Sequence, residues 1–437
     1  MTRVLVLAAL LSTAAVAQQR PQPLTLDEAV KLALQRNSDL QRQVLLSLSA
    51  EQDRIIARSA ILPHLDFNAS IAANRQGAGT VVVSGVPFPQ PSSNYSTTNT
   101  GLNLSQLIFD GGKWWNNISA ANLGLAASEA QVDEQRLQIT YLVEQRFYEL
   151  VRAQRQLQVF SEAATRSRDQ ANYTQRLFEG GRATQADVYA ARANRDNDEV
   201  TRLGQERNVE LARADLSAAI GLDPGTPLTV TEPPNMLAEP VQAPALPQAL
   251  ERALNNRPSL KAFALTAESN RKTASAAKGD YWPTLSANGF WQRGTRDDVG
   301  RNFEAPGRNS HSGVSLDLTW NLFSGLLTQA NVRKAEIQVA LAENDLASGR
   351  RGVASDVEKA VAQLATARAQ ARVAQQAEQT AKEGLRLART RQEVGVGTQL
   401  EVRDAELKLT QAQLNVVGSL VDGREAEAAL RRAQGGG

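Results

Sequence analysis

The sequence contains no cysteine and only two histidines, His64 and His311. The absence of thiols excludes disulfides, thiolate metal sites and cysteine nucleophiles, and two isolated histidines do not form a metal-binding cluster. The remaining residues offer no recognisable set of nucleophile, base and oxyanion donors. We therefore predict that the protein is not an enzyme and that it holds no metal ion and no cofactor.

Aromatic residues are also scarce, and neither sign of charge is in excess. Aromatics make up 5% of the chain, and alanine contributes much of its 42% hydrophobic content, so we expect no large compact core. The 48 basic residues oppose 46 acidic residues, and the two kinds are interspersed. A nucleic-acid-binding protein would instead carry a basic stripe. We expect no nucleic-acid partner and interpret the charges as solvated helix surfaces.

A long apolar run is missing after the N-terminus. Residues 1–17 combine an arginine, an apolar stretch and the small-residue pattern Ala15-Val16-Ala17, which is typical of a cleaved secretory signal peptide. Beyond them, no stretch approaches the roughly 20 consecutive apolar residues that a transmembrane helix requires. If this exported protein crosses a membrane, we expect it to do so with β-strands.

The chain contains an internal repeat. The segment LDEAVKLAL, which begins at Leu26, aligns with LPQALERAL at Leu246, and LNLSQLIFDGG at Leu102 aligns with LDLTWNLFSGL at Leu316. These alignments divide the mature chain into three parts. The first structural repeat covers residues 18–221, a Pro-rich linker at the equatorial region covers residues 222–245, and the second structural repeat covers residues 246–437.

Each repeat predicts a short helix, two strands, a long helix, a tight turn and a second short helix. Each long helix would extend for roughly 100 Å at about 1.5 Å per residue. The fold class is thus mainly α with a small β part, built from long antiparallel coiled-coil rods. The predicted helices cover residues 25–59, 113–178, 184–220, 246–278, 328–393 and 398–434, and the predicted strands cover residues 65–75, 96–109, 284–293 and 313–323.

The segment VSLDLTWNLF alternates apolar and polar residues, as a strand with one apolar face does. All five tryptophans lie in or beside the predicted strands, where an aromatic girdle at a membrane interface would place them. In a soluble protein they would be core aromatics instead. We predict that this strand contacts outer-membrane lipid through Val314, Leu316, Leu318 and Trp320, and that Asp317 faces a watery lumen.

Four strands per chain do not close a barrel, and open sheet edges are not tolerated in lipid. The smallest closed barrels have about eight strands. Other copies of the chain must therefore contribute strands to a shared transmembrane β-barrel, so the sequence predicts an oligomer. The alternative is a soluble periplasmic coiled-coil scaffold whose strand pairs form a small water-exposed sheet.

These features together resemble the TolC family of outer-membrane efflux proteins. The resemblance lies in LTLDEAVKLALQRNSDL near the start, the Leu-Pro step before the first strand, LIFDGG after the second strand, and the pattern G-x-x-T-x-x-D/E-V at both turns. It covers essentially the whole mature chain. The resemblance implies a homotrimer in the cell outer membrane, with twelve strands in one barrel and twelve rods in a periplasmic α-barrel tunnel.

The same resemblance implies a function and two partners. Such a protein is the passive exit duct of a tripartite efflux pump or a type I secretion system. A periplasmic adaptor protein docks to it, and an inner-membrane transporter supplies the energy. The nature of the cargo and the class of transporter stay open at this point.

Acidic residues near the two turns are the gate candidates. In the family, the helix after the second turn carries carboxylates that ring the periplasmic entrance, and the matching residues are Glu401 and Asp404, with Asp187 at the first turn. Asp187 and Glu401 each follow a threonine by three residues, so helix capping is the alternative role for both. The family's latch arginine and tyrosine correspond to Gly397 and Gln392, so this particular latch is absent from the sequence.

The turns themselves are the candidates for adaptor docking. The apolar step Val394-Gly395-Val396 fits the family's short apolar-glycine pattern at the second turn. The first turn, with Gly180, Gly181 and Arg182, fits it less well.

Overall fold

The computed structural model describes residues 23–223, 225–236, 238–299 and 307–436. The predicted signal peptide, residues 1–17, lies outside them. The helices of the described chain are α1 (Leu26–Arg36), α2 (Ser38–Ser59), α3 (Lys113–Glu179), α4 (Gln185–Ile220), α5 (Leu246–Asn256), α6 (Pro258–Lys278), α7 (Leu327–Glu393) and α8 (Gln399–Ala433). The predicted long helices are confirmed, and each has 67 residues.

Each predicted helix that precedes a strand pair is broken once, at Asn37 and at Arg257, so the prediction of one continuous helix in each place is wrong. Arg257 has an extended ψ of 117° because the ring of Pro258 disfavours a helical backbone in the residue before it. Asn37 is also extended, with ψ 125°. Its side-chain Oδ1 accepts hydrogen bonds from the backbone N–H groups of Asp39 (2.9 Å) and Leu40 (3.3 Å), and thereby caps α2.

The strands form one four-stranded antiparallel sheet and one separate hairpin. The sheet contains β1 (His64–Gln76), β4 (Ser93–Phe109), β5 (Thr284–Val299) and β6 (Gly307–Thr319), in the spatial order β1-β4-β5-β6. The two strand pairs of the sequence repeat are therefore joined where β4 pairs with β5. All four predicted strands are present. Strands β1, β4 and β5 extend beyond their predicted bounds, whereas β6 both begins and ends earlier than the predicted residues 313–323.

A short hairpin of β2 (Gly79–Val83) and β3 (Val86–Gln90) lies between β1 and β4, where no strand was predicted. Its two-residue turn has positive φ at both central residues, 55° at Ser84 and 85° at Gly85. This is the backbone of a type I′ turn, which matches the twist of a hairpin. The dipeptide Ser-Gly after a run of three valines was the sequence signal for the turn, whereas the two prolines of β3 argued against a strand there.

The described residues divide into two compact units. The helical unit comprises the described residues up to Val44, Gln131–Pro258 and the residues from Arg350 onward. The strand-bearing unit comprises Leu45–Ala130 and Ser259–Gly349 and contains both sheets.

The core of the helical unit consists of side chains from α1, α3, α4, α8 and the Pro-rich segment. Phe147 and Leu150 of α3 and Leu216 and Ile220 of α4 are fully buried. Met236 of the Pro-rich segment is 2% exposed in the same cluster. This segment is therefore packed onto the helices and contributes to the core.

The two helix breaks have equivalent roles in the helical unit. The Asn37 Nδ2 donates a hydrogen bond to the carbonyl oxygen of Ala219, at the end of α4 (3.1 Å). The Arg257 Nη1 donates to the carbonyl oxygen of Arg432, at the end of α8 (2.6 Å). The last carbonyls of a helix have no partner within that helix, so each break residue satisfies one of them. The sequence repeat is thus also a repeat of contacts.

None of the helices in the described parts of the chain is both long enough and apolar enough to span a membrane.

Candidate functional site

One side of the four-stranded sheet, called the apolar face below, exposes large hydrophobic side chains from all four strands. The register places Leu65 opposite Leu104, Leu104 opposite Gly289, and Gly289 opposite Val314, so these rows share one side. Val314 is 87% exposed. Contiguous apolar surface of this kind marks an interaction with a membrane or another protein. The apolar face comprises Leu65, Phe67, Leu102, Leu104, Trp291, Val314, Leu316 and Leu318.

The other side of the sheet, called the polar face below, carries amide, hydroxyl and carboxylate groups. The Asp317 Oδ2 accepts hydrogen bonds from the Asn288 Nδ2 (2.6 Å) and the Ser315 Oγ (2.9 Å). Asn288 and Ser315 are direct register partners. Strand alternation puts Asp317 on the opposite side from Leu316 and Leu318, as the pattern in the sequence predicted.

The apolar rows have aromatic residues at both ends. Along β6, Trp320 lies eight residues from Ser312, the register partner of Trp291, which is roughly 27 Å at about 3.4 Å per residue. This length is comparable with the apolar band of a transmembrane β-barrel, about 25 Å tall and flanked by aromatic girdles. Tyr281 and Trp282 are exposed at the same end as Trp320.

Trp320 itself lies outside the strand in which it was predicted. Strand β6 ends at Thr319, and the indole Nε1 of Trp320 donates a hydrogen bond to the carbonyl oxygen of Tyr281 (3.1 Å). The exposed indole is therefore held against the residue that precedes Trp282 and β5. The prediction of Trp320 as a strand residue is wrong.

The connections between the sheet and the helices are all at the same end of the sheet. Helix α2 leads into β1, β4 leads into α3, a 3₁₀ turn (Gly279–Tyr281) follows α6 and leads into β5, and β6 leads into α7. The connections within each strand pair lie at the opposite, distal end. Strands β1 and β6 are the sheet edges, and each has one hydrogen-bonded neighbour in the described residues.

The two helical turns have the same backbone geometry. At the first turn, Gly181 has φ 74°, its N–H donates to the Phe178 carbonyl (2.9 Å), and the Arg182 N–H donates to the Leu177 carbonyl (2.7 Å). This pair of bonds defines a Schellman motif, which requires a left-handed residue that is usually glycine. The sequence repeat therefore specifies the turn twice.

The second turn repeats these bonds one for one. Gly395 has φ 81°, its N–H donates to the Gln392 carbonyl (3.0 Å), and the Val396 N–H donates to the Arg391 carbonyl (3.0 Å). Val394 and Val396 are 68% and 66% exposed. The second turn thus presents apolar side chains to solvent, whereas Arg182 occupies the corresponding position of the first turn.

Asp187 is a helix-capping residue. Its Oδ2 accepts hydrogen bonds from the Thr184 hydroxyl (2.6 Å) and the Thr184 backbone N–H (2.9 Å), while its own N–H donates to the Thr184 Oγ1 (3.2 Å). These contacts form a capping box at the start of α4. The hydrogen bonds from the Thr184 side chain and backbone lower the pKa of Asp187 below its usual value.

Glu401 and Asp404 both lie in the first turns of α8, and each has a basic neighbour. The Glu401 N–H donates to the Thr398 Oγ1 (3.2 Å), and its carboxylate lies 3.5 Å from the Arg391 Nε. The Asp404 carboxylate lies 2.6 Å from the Lys408 Nζ. Glu401 and Asp404 line the same open groove between α7 and α8. They therefore share a helix face, as their spacing indicated.

A network of ion pairs near the turns was not predicted from the sequence. The Arg403 guanidinium contacts both carboxylate oxygens of Asp198 on α4 (2.7 and 2.8 Å). The Arg389 Nη2 lies 2.9 Å from the Glu406 Oε1, and the Glu406 side chain is 4% exposed. The first pair joins helices 205 residues apart in sequence, and the second joins the consecutive helices α7 and α8. No local pattern marks which arginine meets which acid.

Positions that correspond to the family latch carry no equivalent group. Gly397 has no side chain, and its N–H donates to the Arg391 carbonyl (2.9 Å). A side chain at Gly397 would meet the Arg391 Cβ and the Gln392 backbone N at 2.9 Å. Glycine here permits the close return of the chain. Within residues 23–436, excluding the gaps given above, no cluster of potential metal ligands is present.

The chain matches the sequence model of the family described as outer membrane efflux protein, over residues 29–222 and 249–436. It is 25% identical over 400 residues to the outer membrane protein TolC of Vibrio cholerae, covering 90% of this chain and 87% of TolC. It is 24% identical over 436 residues to the outer membrane efflux protein BepC of Brucella suis, covering 98% of this chain and 89% of BepC.

The fold also matches solved structures. Superposition on the Campylobacter jejuni CmeC outer membrane channel gives a TM-score of 0.79 at 20% sequence identity, covering 94% of this chain and 86% of CmeC. The two matched sequence segments include both strand pairs and both helical turns.

Proposed function

The chain belongs to the outer membrane efflux protein family, and from this we propose that three copies form one passive duct from the periplasm through the outer membrane to the exterior. In this proposal the apolar face contacts lipid, and the polar face lines the water-filled lumen. The α-helices of the three copies enclose a periplasmic tunnel. Small molecules or proteins are the cargo, and the duct catalyses no reaction.

The observation that carries the proposal is the sheet with an apolar face and two open edges. An edge strand in lipid would leave unpaired N–H and C=O groups, which cost several kcal/mol each. Pairing β1 of one copy with β6 of the next satisfies both edges at once. Three copies would supply twelve strands, within the size range of closed outer-membrane barrels.

Two partners on the periplasmic side of the duct complete the proposal. The exposed second turn, with Val394 and Val396, is the docking surface for a periplasmic adaptor protein, together with the first turn at Gly180, Gly181 and Arg182. An inner-membrane transporter supplies the energy. Glu401 and Asp404 form the acidic entrance, with Asp187 as a third candidate whose carboxylate is engaged in capping.

Solubility and conductance test the proposal together. We expect the mature protein to leave membranes only in detergent and to form discrete ion-conducting channels after reconstitution into planar bilayers. The soluble scaffold predicts the reverse: a protein that stays monodisperse in buffer without detergent and adds no conductance. The apolar face favours the first outcome, because the scaffold would leave this surface in water.

A further inference from the structure

Charges on the four-stranded sheet are divided between its two faces. Among the described side chains of its strands, the carboxylates Asp66 and Asp317 lie on the polar face by register, whereas the guanidinium groups Arg75 and Arg293 lie on the same side as the apolar face. Arg293 lies in the row that follows Trp291 toward the distal end of the sheet. An arginine on a lipid-facing position costs about 2–4 kcal/mol at the bilayer midplane and little near the interface, so the placement of Arg293 fits a headgroup level.

Arg293 lies two residues beyond Trp291 on β5 and is exposed. Its direct cross-strand partners are Thr100 on β4 and Ser310 on β6. Side chains at such positions have Cβ atoms about 4.5–5.5 Å apart, so Arg293 has a hydroxyl-bearing neighbour on each adjacent strand. The Thr100 Oγ1 donates a hydrogen bond to the Arg293 carbonyl oxygen (3.4 Å), which leaves the Ser310 hydroxyl as the donor available to a ligand. Within the part of the chain described above, no carboxylate pairs with Arg293.

Arg75 lies further out on the same side, at the end of β1. It is exposed, and its register partner is Asn94. Six residues separate it along β1 from Ala69, the partner of Thr100, which is roughly 20 Å at about 3.4 Å per residue. Arg75 therefore lies well beyond the level of Arg293.

We propose that Arg293, with the hydroxyl of Ser310, binds a phosphate group of a phosphorylated glycolipid in the outer leaflet. A guanidinium matches a phosphate in charge and in hydrogen-bond geometry. The inference rests on the proposed placement of the apolar face in lipid.

The adjoining surface identifies the ligand as a lipid and not a free anion. The row next to Arg293 on the same side, toward the helices, contains Phe67, Leu102 and Trp291, which are all exposed. Phe67 is the register partner of Leu102, and Leu102 is the register partner of Trp291. Acyl chains would cover these side chains while the phosphate meets the guanidinium. A soluble anion or a polar peptide would leave the same surface in contact with water.

Native mass spectrometry of the full-length protein in detergent tests this inference with a bisphosphorylated lipid A and the same lipid without phosphates as probes. We expect wild type to retain the phosphorylated lipid preferentially. The Arg293→Gln variant should lose about threefold or more in affinity for it, the range for one exposed ionic contact, and Arg293→Lys should recover part of the loss. Arg333→Gln, at an exposed arginine of α7, is the matched control and should bind as wild type does.

Three results would overturn the inference. They are equal retention of the lipid with and without phosphates, unchanged affinity in Arg293→Gln, and displacement of the lipid by inorganic phosphate alone. The last result would identify a free-anion site. If wild type retains no lipid and is soluble without detergent, the proposed function fails as well. If wild type binds lipid but ignores its phosphates, only the present inference fails.

Discussion

Arg403 on α8 and Asp198 on α4 form a two-pronged ion pair, with side chains only 18% and 15% exposed. Arg403 lies one residue before Asp404 and two residues after Glu401. It connects the helix that carries both entrance candidates to the hairpin of α3 and α4. The position of these carboxylates therefore depends on a contact between the two halves of the sequence.

Breaking this pair should loosen the tip of α8. Removing one partner of a fully buried ion pair costs about 3–5 kcal/mol, and we expect about 2 kcal/mol for Arg403→Ala because the pair is partly exposed. Hydrogen exchange in the first turns of α8 should rise accordingly. The charge-swapped double variant Arg403→Asp with Asp198→Arg should restore protection from exchange. If the swapped variant is not protected and the exchange rate of Arg403→Ala is unchanged, the pair does not hold the helix.

The two sides of β6 should respond differently to charge. Leu318 lies on the apolar face and Thr319 on the polar face. Arginine in place of Leu318 should cost about 2–4 kcal/mol if the residue lies near the bilayer midplane. Arginine in place of Thr319 should be tolerated. The yield of heat-resistant trimer on a semi-native gel measures the effect, and equal sensitivity at both positions would argue against a lipid-facing side.

Much of this architecture was predictable because it is local and repeated. The alternation around Leu318 identified its strand face, and the capping threonines and glycines located both turns. The break at Arg257 could have been read from Pro258. The break at Asn37 could have been read from the preference of asparagine for N-cap positions and from its alignment with Arg257 in the repeat. Helix pattern alone favours continuity at both places.

Contacts between distant segments were beyond the sequence. Nothing in the local pattern pairs Arg403 with Asp198, because both arginines and acids recur along every helix face. The neutralising neighbours of the entrance candidates, Arg391 and Lys408, follow from helix packing and from i,i+4 spacing, respectively. The contact of Asp404 with Lys408 could therefore be predicted from the sequence, whereas the contact of Glu401 with Arg391 could not.

The docking surface can be tested at Val396, whose side chain is exposed. Val396→Asp places a charge where an adaptor would bury an apolar group, so we expect export to fall at least tenfold, equivalent to about 1.4 kcal/mol of docking energy. Assembly in the membrane should not change. A bulky residue at Gly395 is a poorer test because its φ of 81° disfavours any side chain except asparagine or aspartate.

Gly395→Asn is the matched control for the same turn. Asparagine tolerates the left-handed backbone, so this variant should export normally. Normal export by Val396→Asp would refute the docking assignment, and loss of export in both variants would trace the defect to the turn's conformation.

The entrance candidates predict ion selectivity. The double variant Glu401→Gln and Asp404→Asn removes both carboxylates and leaves Arg391 and Lys408 without acidic partners. Planar-bilayer recordings of this variant should therefore show weaker cation preference and weaker block by multivalent cations. Glu383→Gln, at an exposed acid of α7, is the control and should conduct as wild type does. A capping role alone would lower helix stability in Glu401→Gln and leave selectivity and block unchanged.

The capping box at Asp187 predicts a pH dependence. Hydrogen bonds from Thr184 lower the pKa of Asp187 in the folded protein below its unfolded value. Because the pKa is lowered on folding, the ionised Asp187 carboxylate stabilises the folded protein at pH values above the unfolded pKa. This stabilisation is lost as the pH falls through the folded pKa. Hydrogen exchange in the first turn of α4 should therefore differ between wild type and Asp187→Asn at about pH 6, and the difference should shrink as the pH is lowered through the folded pKa of Asp187. A difference that persists unchanged at the lower pH would contradict this.

Closure of the sheet between copies is the central claim, and disulfide trapping measures it most directly. The chain has no native cysteine, so one cysteine placed at Asn68 on β1 and a second scanned along β6 report only the engineered contact. The pair Asn288→Cys with Ser315→Cys, direct partners within one chain, is the positive control. We predict covalent trimers on non-reducing gels at one register of β6 positions. If the control pair forms its disulfide while no β1–β6 pair links one chain to another, the shared barrel is contradicted.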